Sequence, residues 1–203
     1  GAFTVVGTDR SAGLFEVATA AETNHDLPDD LKGPLEAECD RVIQIPAFPY
    51  GAHVCEVDVD EDTGAIELVK YAGIDDVGRA INPLILHGQA HGAIVQGLGQ
   101  AMFEHSHYDG ETGQLLAASF MDYALPRADT MPSFDTEISE VPSTTNKLGI
   151  RAGGEGGTTP ALAVLINAIV DALADLGVRH IEMPATPERV WQAIQQARAR
   201  DNA

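Results

Sequence analysis

Residues 54–60, VCEVDVD, place Cys55, Val57 and Val59 in strict alternation with Glu56, Asp58 and Asp60. A period of two sends apolar and acidic side chains to opposite faces of an extended strand, which a helix cannot do. EDTG (61–64) then reads as a tight turn and AIELVKYAGI (65–74) as a second strand of period-two character. The chain is therefore built around a β-hairpin, and the other elements have to cover its apolar face.

Residues 11–23 (SAGLFEVATAAET) read as a short helix with Ser11 as N-cap, and 24–34 (NHDLPDDLKGP) as a loop. From 35 to 75 the texture is that of strands. Residues 84–105 are compatible with a helix although they contain Gly88, Gly92, Gly97 and Gly99. Each glycine costs a helix about 1 kcal/mol relative to alanine, so they point to close approach of backbone or ligand. Residues 108–116 (YDGETGQLL) read as a turn plus strand, 134–141 (FDTEISEV) as a strand and 142–159 as an irregular polar loop. Thr159 and Pro160 start a helix that runs to Leu176 and stops at Gly177. Thr186 and Pro187 start a last helix carrying Val190, Trp191 and Ile194. The expected fold is α+β, with hairpin-rich mixed sheets, three to four packed helices and no regular βαβ alternation. An N-terminal helix and loop (1–34) precedes a larger part (35–203).

Charge narrows the function. Twelve Lys and Arg against 31 Asp and Glu give a net charge of −19 over 203 residues. Such a chain has no cationic surface for a phosphate backbone or an anionic membrane. Cys39 and Cys55 are too few for a disulfide scaffold, a four-thiolate zinc site or an iron–sulfur cluster. The opening GAFTVVGTDR lacks the pattern of a signal peptide, and the longest apolar run, 160–170, is about half a membrane span. A reducing cytoplasm is the expected location. The chain opens on Gly1, which suggests a longer polypeptide.

Three stretches could carry chemistry. In GIRAGGEGGTT (149–159) Glu155 stands between Gly-Gly pairs. That pattern fits either a carboxylate in a ligand pocket or a turn with its Glu in solvent. It does not fit a phosphate cradle, because the Gly-Lys-Ser/Thr pattern is missing and a central Glu repels anions. In HGQAHGAIVQGLGQ (87–100) His87 and His91 have the i, i+4 spacing of a zinc pair, but Gly88 stands where a metalloprotease needs Glu. Such pairs are more often surface or hydrogen-bonded core residues. Gln89 is a neutral amide able to read the donor/acceptor edge of a heterocycle; Gln96 and Gln100 read as a solvated helix face. In IDDVGRAINP (74–83) Asp75 and Asp76 end a strand, as an acid/base couple, a ligand-binding pair or a solvated turn. No Ser/His/Asp or Cys/His arrangement can be assembled.

Taken in order, FPYGAHVCEVDVDEDTGAIELVKY, DDVGRAINPLILHGQAHGAIVQGLGQAMFE, DGETGQLLAASFMDYALPRADTMPSF and GIRAGGEGG followed by PALAVLINAIVDAL form a recognisable series. It resembles the C-terminal portion of the molybdenum-containing large subunit of the xanthine dehydrogenase / aldehyde oxidase / aerobic carbon monoxide dehydrogenase family, over about residues 35–195. SFMDYALPRAD is nearest in wording to the carbon monoxide dehydrogenase-like and related three-subunit hydroxylases. The resemblance implies a molybdopterin-type molybdenum cofactor and hydroxylation of an aldehyde, N-heterocycle or CO-like substrate with oxygen from water. It implies Glu155 as general base, Gln89 and the backbone amide of Gly154 as cofactor contacts, and Asp76 as a pterin contact. The implied partners are the rest of the large subunit, an iron–sulfur subunit and an FAD subunit, which carry the electrons away. Family large subunits are several times longer and hold further pterin contacts and substrate-shaping loops upstream, so this chain alone is expected to be inactive. The copper-binding Cys loop of carbon monoxide dehydrogenase belongs to that upstream part, and Cys55 reads as a small core residue. The alternative is a non-catalytic acidic binding or assembly module on the same scaffold.

Overall fold

The computed structural model describes residues 1–40, 42 and 44–201, which divide into two compact units, Gly1–Gln44 and Ile45–Ala203. In the first unit β1 (Ala2–Thr4) pairs antiparallel with β2 (Ser11–Gly13), and α1 (Leu14–Thr23) follows directly. Ser11 is not the helix cap expected from sequence: it pairs with Thr4 in the strand. Capping passes to Glu16, whose carboxylate reaches back to accept the Gly13 N–H at 2.7 Å.

In the second unit the expected hairpin forms from β3 (Tyr50–Val59) and β4 (Ile66–Asp76). Its turn is closed by Asp60, whose carboxylate accepts the amides of Asp62 and Thr63, and by Gly64 at φ +74°. Period two holds along β3 but breaks in β4. The register shifts between Glu56 and Val57, so that Glu56 faces Lys70 while Val57 faces Leu68 and Val69 is left over. This bulge lets Leu68 and Tyr71, three residues apart, both face the core. β5 (Phe134–Ser139) lies on the other edge of β4 and runs parallel to it. The connection passes through α2 (Pro83–Met102), so one crossover unit accompanies the hairpin. The expected strand within 108–116 shrinks to a single Tyr108–Leu115 bridge, because Asp109 turns the chain back by accepting the amide and hydroxyl of Thr112. Among the described residues of 35–49 there is no strand.

α2, α3 (Thr158–Ala172) and α4 (Pro187–Asp201) close one face of this sheet around Tyr71, Ile94, Leu98, Leu165, Ile169 and Ile194. α3 starts one residue before the expected cap and ends at Ala172, after which a short tight turn reaches Gly177 at φ +82°. α2 and α3 meet where a Cβ on Gly97 would lie 2.8 Å from that of Ala161. That close crossing accounts for one of the α2 glycines and fixes the start of α3 against the helix that carries Gln89. Among the described residues no helix is long and apolar enough to cross a membrane.

Candidate functional site

The glycine loop that leads into α3 is wedged between α2 and the end of β4. A Cβ on Gly153 would stand 2.7 Å from Leu86 Cδ2, and one on Gly157 would stand 2.8 Å from the Ala90 carbonyl oxygen. Contact with the α2 backbone demands glycine at 157, whereas at 153 the Leu86 side-chain tip could shift, so glycine there is not demanded. Nor is it demanded at 154. The nearest atom to a Cβ there is Gln89 Nε2 at 3.9 Å, and the residue is not in the left-handed region. Gln89 and Gly154, far apart in sequence, are thus neighbours on an open surface, with Glu155 next along the chain. Glu155 is exposed and lines a cleft of about 490 Å³ together with Phe48, Tyr50, His53, Asp75 and Thr159.

Asp76 lies behind this loop and is 2% exposed. Its Oδ1 accepts the amides of Gly78 (2.8 Å) and Val141 (3.0 Å), and Arg151 Nε stands 3.8 Å from Oδ2. Oδ2 is buried as well. Burial by itself would raise its pKa, but the Tyr50 hydroxyl, the two amides and Arg151 outweigh it and hold the carboxyl below the usual value of 3.8. Arg151 is committed to this side of the loop, since it also meets the Val141 and Phe48 carbonyls and covers the Tyr50 ring at 5.1 Å. Because the folded pKa is depressed, the stabilisation from Asp76 is complete above pH 3.8 and is lost as pH falls through the lower folded value. Asp76→Ala strands two amides, and its expected cost is about 2–4 kcal/mol at neutral pH, read by denaturant unfolding of the assembled protein. The difference from wild type should shrink in acid.

His53 and Tyr71, to which sequence reading gives no role, join Asp75 in a second polar group on the core-facing side of the hairpin. His53 has a side chain 1% exposed; its Nδ1 is 2.8 Å from the Tyr71 hydroxyl and its Nε2 is 3.2 Å from both carboxylate oxygens of Asp75. Tyr71 is wholly buried, and desolvation pushes its hydroxyl pKa far up. The available signal was the hairpin register: Gly73 stands opposite His53 and Gly51 opposite Asp75, two glycines inside strands that facing side chains leave no room to enlarge.

The zinc-like pair takes another course. His87 Nδ1 and His91 Nε2 both meet the Thr136 hydroxyl, at 2.9 and 3.1 Å, and among the described residues no group of three or more His, Cys, Asp or Glu could hold a metal ion. Cys55 packs against the core with Sγ 3.6 Å from the Val164 carbonyl, and burial pushes its thiol up to about 11.

Comparison with known proteins adds a lineage to this geometry. A family model described as "Molybdopterin cofactor-binding domain" matches residues 9–132, a stretch that contains Asp75, Asp76 and Gln89 and ends before Glu155. The 6-hydroxypseudooxynicotine dehydrogenase complex subunit gamma of Paenarthrobacter nicotinovorans is 37% identical over 196 residues, which are 96% of this chain and 24% of that protein. The nicotine 6-hydroxylase large subunit of the same organism is 40% identical over 148 residues, 73% of this chain and 18% of its own length. Among solved structures, reconstituted CO dehydrogenase from Oligotropha carboxidovorans matches with a TM-score of 0.71 at 36% identity, over 75% of this chain and 19% of that one. Quinoline 2-oxidoreductase from Pseudomonas putida 86 matches with a TM-score of 0.69 at 36% identity, over 72% and 18%. The chain spans about a quarter or less of the length of these relatives.

Proposed function

The chain belongs to the molybdopterin cofactor-binding family, within the molybdenum-binding subunits of the xanthine oxidase and carbon monoxide dehydrogenase group, and from that premise we propose that it supplies the proton-accepting carboxylate and part of the pterin cradle of a molybdenum hydroxylase. The observation that carries the reading is the open flank of Gly154. Among the described residues no contact requires glycine there, and the side chain facing it is the amide of Gln89. A flat polar group approaching that backbone would meet the Gly154 N–H and an uncharged donor and acceptor, as a pterin ring requires. Asp76, 2% exposed behind the loop, supports this cradle from within through the Gly78 and Val141 amides. The donor set fits the group.

When bound, the molybdenum cofactor supplies oxygen-atom and two-electron transfer chemistry. The chain's own part is proton handling and orientation. Gln89 and the Gly154 amide orient the bound group, and the Glu155 carboxylate, free of bulky neighbours at 154 and 156, takes up the proton released at the reacting oxygen. The substrate class is an aldehyde, an N-heterocycle or a CO-like small molecule. The names of the relatives that act on nicotine and quinoline favour the heterocycle. The open face at the start of α2, where Leu84 is 83% exposed and a Cβ on Gly88 or Gly92 would touch nothing, is the surface that the rest of the large subunit covers. Iron–sulfur and FAD subunits take the electrons.

The test is metal analysis and oxidative pterin extraction on the complete native enzyme. Stoichiometric molybdenum together with a fluorescent pterin is the expected result. A folded, assembled preparation that yields neither overturns the reading and leaves the acidic assembly module.

A further inference from the structure

Three residues remote in sequence, Gly51, His53 and Gly156, are arranged around the carboxylate of Asp75. Gly51 lies directly opposite it in the hairpin, where a Cβ would run into Asp75 Oδ1 at 2.5 Å. Gly156, the residue after Glu155, rests on its other side, with a Cβ position 3.4 Å from the same oxygen. His53 holds both oxygens from behind at 3.2 Å, and Tyr71 holds His53 in turn. Gly73 in turn makes room for His53, since a Cβ there would stand 2.8 Å from the imidazole. The arrangement that satisfies every group has the Tyr71 hydroxyl donating to Nδ1 and Nε2–H donating to Asp75. Packing alone does not call for it: a buried polar network of this kind is matched or exceeded in stability by apolar side chains of the same volume. Nor does it conduct protons onward, because it ends at a hydroxyl with no exposure to solvent. What it does is fix one carboxylate in the wall of the cleft that Glu155 also lines.

We propose that Asp75, locked by His53 and Tyr71, is a positioning residue for Glu155: it holds the Gly156 end of the loop and sets a fixed negative charge in the same cleft, so that Glu155 is presented in one orientation for proton uptake. This rests on the reading of Glu155 as the base.

The experiment is a double-variant cycle in the complete enzyme with Asp75→Asn, Glu155→Gln and the combination. Asp75→Asn should lower kcat by about 10- to 100-fold, the scale of a misplaced reacting group. KM should change little, and molybdenum content and Tm should stay at their wild-type values. The combined variant should be no slower than Glu155→Gln alone, because a group that acts through Glu155 has nothing to act on once it is gone. Tyr71→Phe, which removes the hydroxyl and keeps the ring, should lower kcat in the same direction by a smaller factor; if Asp75→Asn does not assemble, the cycle is run with Tyr71→Phe instead. Wild-type kcat in Asp75→Asn, losses that add in the combined variant, or a fall in Tm and molybdenum that tracks the fall in activity would each overturn the proposal. Glu155→Gln retaining full activity would instead overturn the base assignment, so the two failures are told apart.

Discussion

Glu155→Gln in the complete enzyme is expected to lower kcat by about 10²–10⁴-fold, the usual loss when a positioned base is removed, with Tm and molybdenum content unchanged. The separation of these effects follows from where the residue sits. Glu155 is exposed in this chain, glycines flank it on both sides, and the loop is held by other groups: Gly153 and Gly157 against α2, Gly156 against Asp75. The amide has the shape of the carboxylate and cannot take up a proton, so folding is untouched and the chemical step suffers. Steady-state kinetics should show kcat and kcat/KM falling together, the mark of an interaction made in the transition state rather than in substrate binding. A variant within a few-fold of wild type would remove Glu155 from the chemistry.

How much of this was legible beforehand depended on the sequence distance over which each feature is encoded. The hairpin is written in nearest-neighbour alternation, so Cys55, Val57 and Val59 declared their common face directly. The Gly-Glu-Gly run is likewise local, but alone it left a pocket carboxylate and a solvated turn both open, and only the family resemblance gave Glu155 a role. The bulge at Val69 was hidden, because it is set by the need to bury both Leu68 and Tyr71 against residues more than twenty positions away, such as Ile94 and Leu165. Ser11 has the side chain of a cap, yet pairing with Thr4 claimed it first, a case of tertiary structure overriding local preference. The adjacency of Gln89 and Gly154 depends on the Gly97–Ala161 crossing of α2 and α3. The Asp75–His53–Tyr71 group needs hairpin register and loop packing together, and only the glycines at 51, 73 and 156 betray it. Polar networks of this kind join residues that share no pattern, so periodicity passes over them.

Gly154→Val separates a glycine kept for the fold from one kept for a bound group. Among the described residues, chain neighbours aside, a Cβ at 154 meets no atom closer than Gln89 Nε2 at 3.9 Å, and the backbone there is outside the left-handed region, so the change is accommodated. The variant should fold and assemble with a Tm close to wild type. Its branched side chain would nevertheless occupy the flank from which the cofactor reaches the Gly154 amide and Gln89. Molybdenum content should fall at least about tenfold, equivalent to about 1.4 kcal/mol or more of lost binding, and activity should fall in step. Gly157→Val is the contrasting case. Its Cβ would stand 2.8 Å from the Ala90 carbonyl and 3.0 Å from Ile94, so the expected loss is stability, about 1–3 kcal/mol of overpacking, in protein whether or not it carries metal. Should Gly154→Val retain its full molybdenum and turnover while Gly157→Val unfolds, the open flank faces solvent and the cradle must be sought elsewhere on the chain. If instead 154 loses metal without losing fold and 157 loses fold first, two glycine positions in one loop serve two different ends, one turned toward α2 and the other toward the cofactor.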